Sequence, residues 1–128
     1  MNQRNHNPSI KPGKIIIVED EMLVAWDIEQ TLKDVGFSDI THVASLAGAR
    51  AALEKPDGHF ALAIIDIKLG DGDGSVLIGD FQSRRVPVLI VTGYGHFKYA
   101  NVKVLLKPFS SADLTQNVLQ LVRSLSLA

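Results

Sequence analysis

Residues 60–66 read Phe-Ala-Leu-Ala-Ile-Ile-Asp, six apolar residues closed by an aspartate. A run this short and this apolar is expected of a strand covered on both faces, as in a parallel sheet. The signature recurs as KIIIV at 14–18, VLIV at 88–91 and VKVLL at 102–106, with a weaker strand expected at 40–44.

Helical spacing fills the intervals. From residue 21 to 35, apolar side chains return at Val24, Ile28, Leu32 and Val35, and Gly36 stands where a C-terminal cap belongs. An alanine-rich helix is expected at 46–55, stopped before Pro56. A short helix should follow the glycine-rich loop 70–74 and run to about Arg84. The last helix opens with Ser110 and Asp113, a variant of the capping box, and carries the stripe Leu114, Val118, Leu121, Val122 and Leu125. Strands alternating with helices give an α/β fold: a doubly wound five-stranded parallel sheet of flavodoxin-like order 2-1-3-4-5.

The bulk figures agree. The chain has 128 residues, 46% hydrophobic and 21% charged, enough for one domain with its own core. Residues 1–13 are polar, with two prolines and a glycine, and read as a flexible tail ahead of a single domain at 14–128, with no second domain expected. A net charge of −1 gives no basic field for nucleic acid. No apolar run approaches the roughly 18 residues that cross a bilayer. Cysteine is absent, which removes disulfides and thiolate chemistry and suits a reducing cytoplasm. The four histidines, His6, His42, His59 and His96, show no metal-ligand spacing and read as surface residues.

In doubly wound sheets ligands bind beyond the carboxyl ends of the strands. Those ends carry Glu19 and Asp20, Asp66, Thr92, and Lys107. Singly each has a plain explanation: Asp20 as a helix cap, Asp66 as a turn residue, Thr92 as a strand former, Lys107 as a surface lysine. Together they are complementary groups converging on one rim. Carboxylates about 4 Å apart repel by about 4 kcal/mol at an effective dielectric near 20, so they invite a cation. Oxygen donors without His or Cys suit a hard ion such as Mg²⁺. A carboxylate can also attack phosphorus to give an acyl phosphate, with the metal, an ammonium and a hydroxyl neutralising the phosphoryl oxygens. Asp66 is the central candidate because the most apolar strand ends there. The acidic run at 70–74 lacks the full series of a calcium loop and the G-K-[ST] of a P-loop, and reads as a turn.

The stretches IIIVEDE (15–21), AIIDIKLGDGDG (63–74), LIVTGY (89–94) and LLKPF (105–109) resemble the signatures of response-regulator receiver domains, over about residues 14 to 126. The resemblance implies Asp66 as phosphoacceptor. It implies that Mg²⁺ is held by Asp20 directly, by Glu19 through water and by the backbone carbonyl of Lys68, with Asp66 also at the metal. It gives Thr92 a hydrogen bond and Lys107 an ion pair to the phosphoryl group, and it allows a cis peptide at Lys107–Pro108. The partner implied is a histidine kinase or histidine phosphotransfer protein, with no nucleic acid or membrane contact. The chain is then expected to be a stand-alone cytoplasmic monomer, catalysing only its own phosphorylation and dephosphorylation, and signalling by protein contact or serving as a phosphate sink. The alternative is a receiver-fold binding module that takes no phosphate; a flavin or small-molecule site is a third reading.

Two departures from the family stand out. Only residues 93–101 separate Thr92 from the last strand, so the fourth helix is expected to be shortened or replaced by a loop. With its T-G-Y run, this resembles the FAT-GUY subgroup associated with HWE-type histidine kinases. Position 104, where many receivers carry a switch aromatic, is valine, so phosphorylation is expected to order the 93–101 loop instead. Met22 and Trp26 lie opposite the stripe of the first helix. Trp26 either packs against the last helix or is exposed for a partner, and with Met22 and Tyr94 it is a docking candidate.

Overall fold

The structure, a computed structural model, describes residues 13–93 and 101–127, with side chains as far as residue 123. In chain order the elements are β1 (Ile15–Val18), α1 (Met22–Val35), β2 (Ile40–Val43), α2 (Leu46–Glu54), β3 (Leu62–Asp66), β4 (Lys68–Leu69) and β5 (Gly72–Asp73). A 3-10 turn (Gly74–Leu77) then leads into α3 (Ile78–Gln82), β6 (Val88–Thr92), β7 (Lys103–Leu106) and α4 (Ser111–Leu127). The main sheet runs β2-β1-β3-β6-β7, all parallel. Leaving the small β4–β5 hairpin out of the numbering, this is the expected order 2-1-3-4-5.

Alternation along the strands builds two cores. Ile16, Val18, Ala63, Ile65, Val88 and Ile90 face α2 and α3, meeting Leu46, Ala49, Leu53 and Phe81. Ile15, Ile17, Leu62, Ile64, Leu89 and Val91 face α1 and α4, meeting Ile28, Leu32, Leu114 and Val118. Every residue of β1, β3 and β6 is therefore buried, which is why these runs are continuously apolar rather than alternating.

The helix boundaries follow local chemistry. Gly36 ends α1 in the left-handed conformation, φ 119°, and its N–H donates to the carbonyls of Leu32 and Lys33. Ser45 caps α2 by accepting from the Gly48 N–H at 3.0 Å. One half of the capping box of α4 is present, the Asp113 N–H donating to Ser110 Oγ at 3.0 Å. Its stripe is buried at Leu114, Val118 and Val122 and half-buried at Leu121; the Leu125 side chain lies outside those described.

Several expectations are corrected. The strand begins at Leu62 rather than Phe60, whose ring instead packs edge-on against Phe81, centroids 6.4 Å apart. The glycine-rich stretch is not simple loop: Lys68–Leu69 and Gly72–Asp73 pair antiparallel, and Gly72 takes φ 147° to make the turn. The helix expected to reach Arg84 splits into the 3-10 turn and the five residues of α3. The plain alternative for Asp20, a cap on α1, is also ruled out: the cap position is Glu21, and no side chain closes it.

Four α-helices are present among the described residues. Between Thr92 and Lys103 only residues 93–102 are left for the crossover, consistent with a shortened fourth helix; residues 94–100 themselves, with Tyr94, His96 and the expected loop-ordering switch, lie outside those described. The expected tail likewise lies outside them except for Gly13. No helix among the described residues is long and apolar enough to cross a membrane.

Candidate functional site

Strand register brings the predicted groups together. Val18 pairs with Ile65, Asp66 with Val91, and Thr92 with Leu106, so Glu19, Asp66 and Lys107 arrive one residue past, or at, the ends of β1, β3 and β7, with β6 between the last two. By strand alternation all three continue the face that looks toward α1 and α4. The Lys107 N–H donates to the Thr92 carbonyl at 2.8 Å, extending the ladder by one residue and fixing where the lysine starts.

Glu19, Asp20 and Asp66 each offer a carboxylate oxygen, and these oxygens lie within 4.8 Å of one another. Glu19 is fully buried and Asp66 is 4% exposed, whereas Asp20 is open to solvent. Into this group reaches the Lys107 ammonium, 2.9 Å from Glu21 Oε1, 3.1 Å from Glu19 Oε1 and 3.5 Å from Asp66 Oδ2. Glu19 Oε2 accepts the Glu21 N–H at 3.1 Å. Glu19 Oε1, although close to the ammonium, is buried without a hydrogen bond. His42, predicted as a plain surface residue, is half-buried and sets its Nε2 2.7 Å from the Glu19 carbonyl.

The electrostatics follow from this geometry. Burial pushes the Glu19 carboxyl from 4.5 up to about 7, with the charge of Asp66 adding to the effect; the Glu21 N–H and Lys107 oppose it without cancelling it. For Lys107 the balance goes the other way. Burial works against its charge, but the hydrogen bond to Glu21 and the close carboxylates of Glu19 and Asp66 hold it above its ordinary value.

An open cleft of about 400 Å³ lies over these groups, lined by Asp20, Glu21, Asp66, Lys68, Leu69, Gly70, Gly93 and Lys107. Lys68 is among the residues that line it. Thr92 is fully buried and does not itself line the cleft, although its neighbour Gly93 does. Behind Asp66 the backbone is tightly packed: the Gly74 N–H donates to the Ile67 carbonyl at 2.6 Å, and a Cβ at Gly74 would collide with the Asp66 carbonyl oxygen. Hard oxygen donors, a buried oxygen lacking a hydrogen bond and an open approach fit a divalent cation such as Mg²⁺.

On the flank of the cleft, Met22, Leu23 and Trp26 are 67%, 83% and 61% exposed. Trp26 is therefore mostly solvent-exposed rather than buried under α4. Leu23 and Glu21 were not among the candidates; the sequence signal for them was the place of Leu23 in the first turn of α1 and of Glu21 just ahead of it. Val104 is half-buried against the core.

A model of the response regulator receiver domain matches residues 15–119. The chain is 28% identical over 113 residues to the transcriptional regulatory protein PdtaR of Mycobacterium tuberculosis, covering 80% of this chain and 53% of that protein. It is 29% identical over 119 residues to the transcriptional regulatory protein BasR of Escherichia coli, covering 86% and 52%. It thus spans about half the length of these relatives. The crystal structure of a response regulator receiver protein from Sinorhizobium medicae superposes with a TM-score of 0.80 at 26% identity, covering 90% of this chain and 98% of that one.

Proposed function

The chain belongs to the response regulator receiver domain family, and from that membership we propose that it is a Mg²⁺-dependent phosphoacceptor of a two-component system, phosphorylated on Asp66. The observation that carries the proposal is the position of the Asp66 carboxylate: at the end of the central strand β3, within 4.8 Å of the oxygens of Glu19 and Asp20, and 3.5 Å from the Lys107 ammonium.

In the proposed reaction an Asp66 carboxylate oxygen attacks the phosphorus of a phosphohistidine on the partner. The new P–O bond gives an acyl phosphate, the P–N bond breaks, and the imidazole leaves with its electron pair and takes a proton. Asp20, Asp66, Glu19 and the Lys68 carbonyl would hold a Mg²⁺ ion, which when bound would supply positive charge to neutralise the phosphoryl oxygens. Lys107 neutralises a further phosphoryl oxygen, and the Thr92 hydroxyl is proposed to donate to another. Because Lys107 starts from contacts with three carboxylates, it can follow the negative charge to Asp66 by a small swing rather than a rebuilding of the site.

The partner is a histidine kinase or a histidine phosphotransfer protein, docking on the apolar group Met22, Leu23 and Trp26 beside the cleft, with Tyr94 as a further candidate contact. We extend the proposal to a cytoplasmic, monomeric, stand-alone receiver that acts by protein contact or as a phosphate sink. The T-G-Y run at 92–94 and the short crossover support a place in the FAT-GUY-like subgroup. Incubation with Mg²⁺ and acetyl phosphate, read by intact mass, tests the chemistry. One added phosphate on the wild type and none on Asp66→Asn is expected; an unmodified wild type, or a modified variant, would overturn it.

A further inference from the structure

The contact between Lys107 and Glu21 has no place in the chemistry just proposed. Glu21 sits at the N-cap of α1 but its carboxylate makes no cap hydrogen bond. It turns instead to Lys107 and makes the shortest of the three contacts of that ammonium, 2.9 Å against 3.1 Å to Glu19 and 3.5 Å to Asp66. Glu19 is buried and fixed, whereas the Glu21 side chain is 61% exposed and free to leave. The ammonium must approach the phosphoryl group on Asp66, so whatever holds it elsewhere opposes that step.

We propose that Glu21 is a positioning residue that competes with Asp66 for Lys107, a latch drawing the ammonium toward the exposed end of the cluster, and that its release sets how readily the ammonium serves the phosphoryl group. This rests on Asp66 being the phosphoacceptor. Glu21 also has a place in two depressions at once. It lines the cleft over Asp66, and it lines an adjoining groove of about 470 Å³ with Leu23, Val24, Asp27, Pro108 and Phe109. The latch therefore lies where the apolar flank of α1 meets the reaction cleft, and a body seated in the groove would meet the Glu21 carboxylate before it met Asp66.

The contact is a partly exposed ion pair, so its loss should have a modest effect of the size such pairs show, about two- to five-fold. Two variants separate the latch from bulk charge. Glu21→Gln removes both the contact and the negative charge. Glu21→Asp keeps the charge but is one methylene too short to reach the ammonium at its present position. The measurement is the rate of phosphorylation by acetyl phosphate at saturating Mg²⁺, together with the affinity for beryllofluoride and the NMR signal of the Lys107 side chain. Both variants should phosphorylate about two- to five-fold faster than wild type, bind beryllofluoride tighter by a similar factor, and shift the Lys107 signal before any phosphoryl mimic is added. An unchanged or slower rate in Glu21→Asp overturns the latch, including the case where only Glu21→Gln is faster, which would make the effect one of net charge. If the wild type takes no phosphate at all, the phosphoacceptor reading fails first and the latch falls with it.

Discussion

The sharpest consequence of the site concerns Glu19 in the absence of metal. Its carboxyl is fully buried and pushed from 4.5 up to about 7, so between those pH values the folded protein holds a proton that the unfolded chain has lost. Stability must then fall as pH rises through this window and level off above it. The difference between 4.5 and about 7, at about 1.4 kcal/mol per tenfold, sets a ceiling of about 3 kcal/mol. Glu19→Gln keeps the shape and removes the titration. The amide can satisfy the Glu21 N–H or face Lys107, not both, a constant penalty that cancels when one variant is compared with wild type at two pH values. Relative to wild type, then, Glu19→Gln should gain about 2 to 3 kcal/mol on going from pH 5 to pH 8. Urea denaturation in the presence of a chelator, at both pH values, reads this directly. A gain that is the same at pH 5 and pH 8 would refute the argument that burial outweighs Lys107 at Glu19. Saturating Mg²⁺ should stabilise the wild type more at pH 8 than at pH 5, because the ion binds the deprotonated carboxylate.

Other outcomes follow from packing. Gly74→Ala would drive a Cβ into the Asp66 carbonyl; a stability loss of about 1 to 3 kcal/mol is expected in urea denaturation, together with weaker Mg²⁺ binding, since Asp66 must move. Trp26→Ala removes a side chain that is 61% exposed, so stability should change by no more than about 0.5 kcal/mol. Phosphotransfer from a histidine partner should nevertheless slow, while phosphorylation by acetyl phosphate stays the same. If both donors slow equally, or neither does, Trp26 is not part of the docking surface.

The sheet was legible because strands covered on both faces leave no room for polar residues. Runs such as 14–18 and 88–91 therefore announced themselves, and the first polar residues after them marked the rim where chemistry gathers. The reach of Lys107 was legible only in part. Its place after the last strand followed from the sequence, but its short contact with Glu21 depends on α1 starting one residue after Glu21 and leaving that side chain uncapped. His42 was read as surface because β2 gives a weak apolar signal; its ring meets the Glu19 carbonyl only once β2 lies alongside β1 in parallel register. The hairpin of β4 and β5 was read as loop because two-residue strands carry no periodicity, and its sharp bend rests on Gly72 alone. Trp26 could not be placed from helical spacing because an angle opposite the core stripe says nothing about whether another element covers it.

The central claim is that Asp66 takes the phosphoryl group with Mg²⁺ in the acidic cluster. Its most direct test is an amide NMR titration with Mg²⁺ and then beryllofluoride, on wild type and Asp66→Asn. Shifts centred on Asp20, Asp66, Lys68, Thr92 and Lys107, with the beryllofluoride response lost in the variant, are the predicted result. A wild type that responds to neither ligand, or a variant that responds as the wild type does, would contradict it.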